Sequence, residues 1–170
     1  TCRRHCSRRP RLSTARCGGG LDLDGPTRHR SRVFSHRSKN RLTDKDVARF
    51  QGDSLFDRVA RELCRAGVLP RKELYESWET ARRARRLFRG QRIVDVAGGH
   101  GLLAHLLLLL DDSSPSAAVV DPAIPPSSAA LQHVLVARWP RLAGRVQQYA
   151  QPFETFEIAA ADLIVSSHAC

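Results

Sequence analysis

Apolar residues follow two different rhythms along the chain. Between positions 51 and 90 they recur every three or four residues, which predicts two amphipathic helices. The first helix follows the capping residue Ser54 and ends at Gly67, and the second begins near Pro70 and ends before Gly90. After position 90 the apolar residues form short unbroken runs separated by longer segments, which is typical of buried strands joined by helices.

The short runs predict four strands, at residues 92–96, 118–121, 145–149 and 161–167. A leucine-rich segment over residues 102–110 and an apolar period over residues 127–139 predict the helices that connect the first three strands. This alternation indicates an α/β fold, a three-layer sandwich with a parallel Rossmann-like sheet, preceded by two helices. Ligands of such sheets bind outside the carboxyl ends of the strands.

The first predicted strand runs into a turn in which Gly98, Gly99 and Gly101 precede the leucine-rich helix. Glycine lets the backbone approach a ligand closely or adopt positive φ, and a helix N-terminus presents free N–H groups. Asp95 lies inside the strand, where a buried carboxylate requires a partner. It either caps the turn amides or orients the turn and meets the polar end of a ligand. Asp121 ends the second strand, where an acid is placed to accept hydrogen bonds from ribose hydroxyls.

Residues 95–101, Asp-Val-Ala-Gly-Gly-His-Gly, together with Asp121 resemble the S-adenosylmethionine site of class I methyltransferases. The pattern of that family is an acid followed by GxGxG, and this chain departs from it at Ala97, where the first glycine usually stands. The resemblance implies that Asp95 and residues 99–101 hold the methionine part of the cofactor and that Asp121 holds the ribose. The cofactor-binding residues are then expected to be Asp95, Ala97, Gly98, Gly99, His100, Gly101, Asp121, Ala123, Ile124, Gln151 and Ser166.

The resemblance also has implications for the adenine and for the methyl acceptor. Ala123 and Ile124 would lie beside the adenine ring, and Gln151 would meet its amino group. Residues 162–170 resemble the strand-four segment of the family, which makes His168 a candidate catalytic base on an acceptor N–H or O–H. The other interpretation of His168 is a loop histidine that shapes the pocket. The acceptor itself stays unidentified.

The sheet of class I methyltransferases continues beyond the strands found here, which correspond to the order 3-2-1-4. We therefore expect a partial cofactor-binding domain over residues 91–170, a fragment that ends after strand four. Residues 51–90 would form the two preceding helices, and residues 1–50 a disordered basic tail.

Two other functions fit the same residues. Gly99-x-Gly101-x-x-Ala104 also satisfies the GxGxxG/A fingerprint of dinucleotide-binding domains, which would make the chain an NAD(P)-binding oxidoreductase. A second alternative is a non-catalytic module that binds RNA. The position of Asp95 before the turn and the downstream pattern favour the methyltransferase.

The positive charge of the chain is concentrated at its N-terminus. Residues 1–50 hold 14 Lys and Arg against 4 Asp and Glu, whereas residues 51–170 hold 14 against 13. The N-terminal segment is rich in Ser, Gly and Pro, which predicts disorder, and its arginines are suited to contact RNA phosphates. The second predicted helix has an arginine-rich outer surface that is a further RNA candidate, formed by Arg82, Arg83, Arg85, Arg86 and Arg89. Its predicted apolar face comprises Leu74, Trp78, Ala81, Leu87 and Phe88.

The cysteines match no regular disulfide or zinc spacing. Cys2, Cys6 and Cys17 lie near His5 but lack the second half of a zinc pattern, so no metal is expected. With no secretory segment, a reducing cytoplasmic setting is expected. No apolar run approaches the length that spans a membrane, so no membrane partner is expected either.

Overall fold

The structure of the chain, a computed structural model, describes residues 35–167. In this part, helices and strands alternate after two initial helices. The helices are α1 Leu55–Ala66, α2 Arg71–Leu87, α3 Leu102–Leu110 and α4 Ser128–Arg138. The strands are β1 Ile93–Val96, β2 Ala117–Val120, β3 Val146–Tyr149 and β4 Leu163–Val165. Short 3-10 helices cover Asp44–Arg49, Pro140–Leu142 and Phe153–Thr155.

The four strands form one parallel sheet in the order β3-β2-β1-β4. This confirms the predicted α/β fold, the parallel sheet and the strand order. In the register of the sheet, Val96 of β1 is opposite Val120 of β2, and Asp95 is opposite Val165 of β4. The glycine turn, Asp121 and the residues after β4 therefore meet at one edge of the sheet, as the carboxyl ends of parallel strands must.

The α-helices contribute to one apolar core with a single face of the sheet. Ile93, Val119 and Val146 point into this core from three neighbouring strands. The residues of α3 from Leu102 to Leu109 are all buried, and α2 packs extensively against α3. Since α3 is enclosed by the sheet and by α2, it has no solvated side, which explains why its sequence is leucine-rich without a polar stripe.

A loop segment covers the other face of the sheet. Val94, Ala118 and Val120 form a second apolar cluster on that face, and Phe153 and Phe156 from the β3–β4 connection pack against it. Arg92 fixes the end of the connection next to β4 through a bidentate contact to Asp162. The third layer in the described residues is thus this connection and its short 3-10 helix.

The first predicted helix agrees with α1 at both ends. Ser54 accepts a hydrogen bond from the Asp57 N–H, and Gly67 has φ 63°, a left-handed C-cap that glycine adopts without strain. Cys64, expected to be a small buried residue, is buried in the core between the two ends.

The outer and inner faces of α2 differ from the prediction at three residues. Arg85, expected on the outer surface, is 4% exposed and contacts Asp111, whereas Leu87 and Phe88, expected on the apolar face, are 78% and 43% exposed. The guanidinium of Arg85 has a carboxylate partner inside the core, and α2 ends at Leu87, so that Phe88 is extended and no longer follows the helical period.

Residues 41–50, assigned from sequence to the tail, belong to the folded part. Leu42 and Phe50 are buried in the main core, and Arg41 forms a bridge with Pro70. Their apolar residues flank a 3-10 helix and follow no α-helical period, which is why the pattern missed them. The predictions of disorder, RNA contact and absent zinc for residues 1–34 lie outside the described residues. Within the described part, no helix is long and apolar enough to cross a bilayer.

Candidate functional site

The turn between β1 and α3 has the backbone that its glycines predict. Gly101 has φ 78°, and a Cβ there would lie 2.9 Å from Val119 Cγ2. A Cβ at Gly98 would lie 2.8 Å from Val119 Cγ1 and 2.9 Å from Asp95 Oδ2. Both contacts are too short for any side chain, so β2 and Asp95 enforce glycine at these positions. The result is a turn with bare backbone at the carboxyl edge of the sheet.

Ala97 adopts the conformation for which the family pattern uses glycine. Its φ is 54°, in the left-handed region, and its N–H donates to the Val120 carbonyl at 2.9 Å. A left-handed alanine costs about 1 kcal/mol relative to glycine. Ala97 thus holds a backbone conformation that favours glycine, at the cost of modest strain.

Asp95 is the least compensated charge of the site. Its side chain is 0% exposed, and Oδ2 accepts one hydrogen bond, from the Ala104 N–H of α3 at 3.2 Å. Oδ1 is buried and has no hydrogen-bond partner in the part of the chain that the structure describes. Burial raises the pKa of Asp95 to about 7, opposed by the Ala104 hydrogen bond and increased further by the nearby charges of Glu73 and Asp121. Both interpretations of Asp95 stay open, since it caps one amide and keeps one oxygen free.

Asp121 ties the glycine turn to the residues after β2. Its Oδ2 accepts from the Gly99 N–H at 3.0 Å, and its Oδ1 accepts from the Ala123 N–H at 2.8 Å. Its side chain is only partly buried, so the carboxylate keeps lone pairs toward solvent. The two acids that the sequence singled out thus stand on neighbouring strands, on either side of one turn.

His100 connects the glycine turn to two helices. Its Nδ1 lies 3.3 Å from Glu73 Oε1 in the first turn of α2, and its Nε2 lies 3.0 Å from the Ser127 hydroxyl before α4. A carboxylate can only accept, so the proton lies on Nδ1, and in the neutral ring Nε2 accepts from Ser127. These contacts place the start of α2 beside the turn.

His105, in α3, hydrogen-bonds to the last residue of the glycine turn. It is fully buried, and its Nδ1 donates to the Gly101 carbonyl at 2.7 Å, the same oxygen that accepts from the His105 backbone N–H at 3.2 Å. Burial lowers the pKa of His105 to about 4, so its ring is neutral at neutral pH. No motif in the sequence pointed to this residue.

The remaining predicted residues are distributed around this edge. Ala123 is exposed and Ile124 is half-buried directly after Asp121. The Tyr149 carbonyl accepts from both the Asp121 and the Gln151 N–H, which brings Gln151 close to Asp121, although its side chain turns toward Thr155. Ser166 is exposed after β4, and His168 lies outside the described residues.

Glu73 and Ser127 are the site residues that sequence reasoning missed. Both lie far from the turn in sequence and match no motif, because each is a helix-terminal residue that packing brings to His100. Tyr75 and Trp78, which follow Glu73 on α2, pack against the main core and Phe56. They act as core anchors of α2.

No protein-family model matches the chain, and a search of curated proteins found no match either. The fold and the geometry of this edge therefore carry the functional argument alone.

Proposed function

We propose that the chain carries the S-adenosylmethionine-binding part of a class I methyltransferase. The observation that supports it is the acidic character of the glycine turn at the carboxyl edge of the sheet. Asp95 has a buried oxygen without a partner, and Glu73 and Asp121 lie close enough to affect its pKa. S-adenosylmethionine is attracted to such a site because its amino group and its sulfonium are both positive.

The same charges disfavour a nicotinamide dinucleotide. A pyrophosphate binds at a helix N-terminus through free amides and the positive end of the dipole. At α3 the Ala104 amide already donates to the Asp95 carboxylate, and Glu73 adds negative charge beside His100. A dianionic ligand would therefore meet repulsion where dinucleotide-binding domains provide attraction.

The residues of the chain would act mainly by binding and orientation. Gly98 and Gly101 let the turn pack directly on Val119 and Asp95, where a Cβ would clash. Asp121 would accept hydrogen bonds from the ribose hydroxyls, and Asp95 would offer a negative charge to the methionine part. When bound, the cofactor supplies the methyl group and a neutral thioether as leaving group.

An acceptor would approach from the end of β4. A cleft of about 470 Å³ there has Ser167 on one side and Tyr75, Glu76 and Thr80 of α2 on another. His168 follows Ser167 in sequence, and its assignment as the catalytic base remains a prediction.

Calorimetric titration of the chain with S-adenosylmethionine, S-adenosylhomocysteine and NADH tests the proposal. We expect both adenosyl ligands to bind and NADH not to bind. Asp121→Asn should weaken the adenosyl ligands by about tenfold or more, the effect of losing a charged hydrogen-bond acceptor. Asp53→Asn, at an exposed acid before α1, is the matched control and should leave affinity unchanged. Tighter binding of NADH, or a folded chain that binds no ligand, would overturn the proposal.

A further inference from the structure

The C-terminal end of α2 exposes apolar and basic residues together. Leu87 and Phe88 are large hydrophobic residues, yet they are 78% and 43% exposed. Exposed arginines surround them in sequence and on the preceding turn of α2. We name this surface the α2-end patch and define it by Arg82, Arg83, Arg86, Leu87, Phe88 and Arg89.

The patch is held rigidly from inside the protein. Arg85 donates to the Phe88 carbonyl at 3.1 Å, to the Leu107 carbonyl at 3.1 Å and to the Ser114 hydroxyl at 3.0 Å. The Gly90 N–H on the other side donates to Asp111 Oδ2 at 3.1 Å. Phe88 is therefore fixed by anchors on both sides, and its exposure is a property of the fold.

The charge of the patch is only partly neutralised. Arg82 and Arg83 share Glu79, at 3.8 Å and 2.8 Å. Within residues 35–167, no carboxylate pairs with Arg86 or Arg89, which directly flank the two apolar residues. A partner that fits must therefore bring negative charges spaced around a flat apolar group.

We propose that the α2-end patch binds a single-stranded polynucleotide, with a base stacked on Phe88 and phosphates on Arg86 and Arg89. Base stacking on an aromatic ring combined with arginine–phosphate contacts is the usual chemistry of such sites. An anionic membrane fits less well, since a surface helix that inserts presents a wide apolar face and this patch has two apolar residues. The proposal concerns a surface outside the glycine turn and stands independently of the proposed cofactor.

The test measures fluorescence anisotropy of a labelled uridine oligonucleotide, and of its deoxy counterpart, with the 170-residue chain. The salt dependence of the affinity reports phosphate contacts, with a slope of about 0.7 per contact for single strands. Arg86→Gln/Arg89→Gln should lower the slope by about 1.4 between about 50 and 200 mM salt. The matched control is Arg65→Gln/Arg138→Gln, which removes two exposed arginines beside Glu62 on other helices and should leave the slope unchanged.

Stacking is tested separately at Phe88. Phe88→Leu keeps an apolar side chain and removes the ring, and should weaken binding about fivefold or more with an unchanged salt slope. Phe88→Tyr keeps the ring and should bind like the parent chain. Circular dichroism and thermal melting check that each variant is folded. Because the substituted side chains are exposed, we expect the variants to keep the fold.

The outcomes separate clearly. Binding of either oligonucleotide with both variant effects supports the proposal. Equal slope losses in the two arginine variants, no effect of Phe88→Leu, or binding to vesicles of phosphatidylserine without binding to oligonucleotides would overturn it.

Discussion

Two buried aspartates in this protein have pKa values shifted in opposite directions. Asp111, 6% exposed, accepts from Ser113, Ser114 and the Gly90 N–H and lies 3.3 Å from the Arg85 guanidinium. Burial alone would raise its pKa, but the hydrogen bonds from Ser113 and Gly90 and the charge of Arg85 lower the pKa of Asp111 to about 2. Asp95, 0% exposed, has one hydrogen bond and no cationic partner among residues 35–167, and its pKa rises to about 7.

The contrast separates a structural ion pair from a candidate binding site. The fold supplies Asp111 with every partner that a buried carboxylate needs, and this anchors α2 to the end of α3. At Asp95 the fold leaves one oxygen without a hydrogen-bond partner among residues 35–167, beside a turn in which Gly98 and Gly101 pack directly on Val119. A buried, undercompensated carboxylate at the ligand-binding edge of a parallel sheet is consistent with a cation that arrives from outside.

The largest effect is expected from breaking the structural pair. Arg85→Gln would leave Asp111 buried without its cation and should lower the free energy of unfolding by about 3–5 kcal/mol. Arg86→Gln, one position along α2 and exposed, should change it by less than about 0.5 kcal/mol. Urea denaturation of the two variants measures this difference. Similar stabilities would mean that the Arg85–Asp111 contact does not anchor the helix.

The pH dependence of stability should sharpen the contrast. Because the folded pKa of Asp95 is raised from 3.8 to about 7, its contribution is greatest below pH 4 and is lost as the pH rises to about 7. Between pH 4 and pH 8 the parent chain should lose about 3 kcal/mol relative to Asp95→Asn. Asp111, with its lowered pKa, should contribute in the opposite direction, with stability lost as the pH falls from about 4 toward 2. Parallel pH profiles of the parent and Asp95→Asn, in urea titrations, would show that Asp95 is not perturbed.

A smaller effect is expected from filling the turn. Gly98→Ala places a methyl group against Asp95 and Val119 and should destabilise the chain by about 2 kcal/mol. Gly99→Ala is the matched control, since a Cβ there meets nothing within 4 Å and only its φ of 50° is unfavourable, at about 1 kcal/mol. Thermal melting ranks the two. If Gly99→Ala proved less stable than Gly98→Ala, this result would contradict the close packing of Asp95 against the turn.

Local patterns were sufficient for the sheet and for the turn. The short apolar runs identified all four strands of the described sheet, and the structure brings the glycine turn and Asp121, both singled out from sequence, together at one edge of it. These features are local because strand burial and turn geometry depend on residues close in sequence.

Contacts between distant residues were what the patterns missed. Arg85 continues the spacing of Leu74, Trp78 and Ala81, so the helical period did place it on the inner face, but its charge argued for solvent. Arg85 can be buried because it pairs with Asp111, which follows β1 and α3 in the sequence. The links of His100 to Glu73 and Ser127 are of the same kind, and a sequence pattern carries no information on them.

The proposed role of Asp95 in binding a cationic ligand is tested most directly by proton release. Near pH 7 the Asp95 carboxyl is about half protonated, so a positive ligand that lowers its pKa must expel up to about half a proton on binding. Titrating S-adenosylmethionine by calorimetry in two buffers of different ionisation enthalpy measures this number. We expect proton release on binding to the parent chain and none on binding to Asp95→Asn. Binding without proton release, or equal release by both chains, would contradict it.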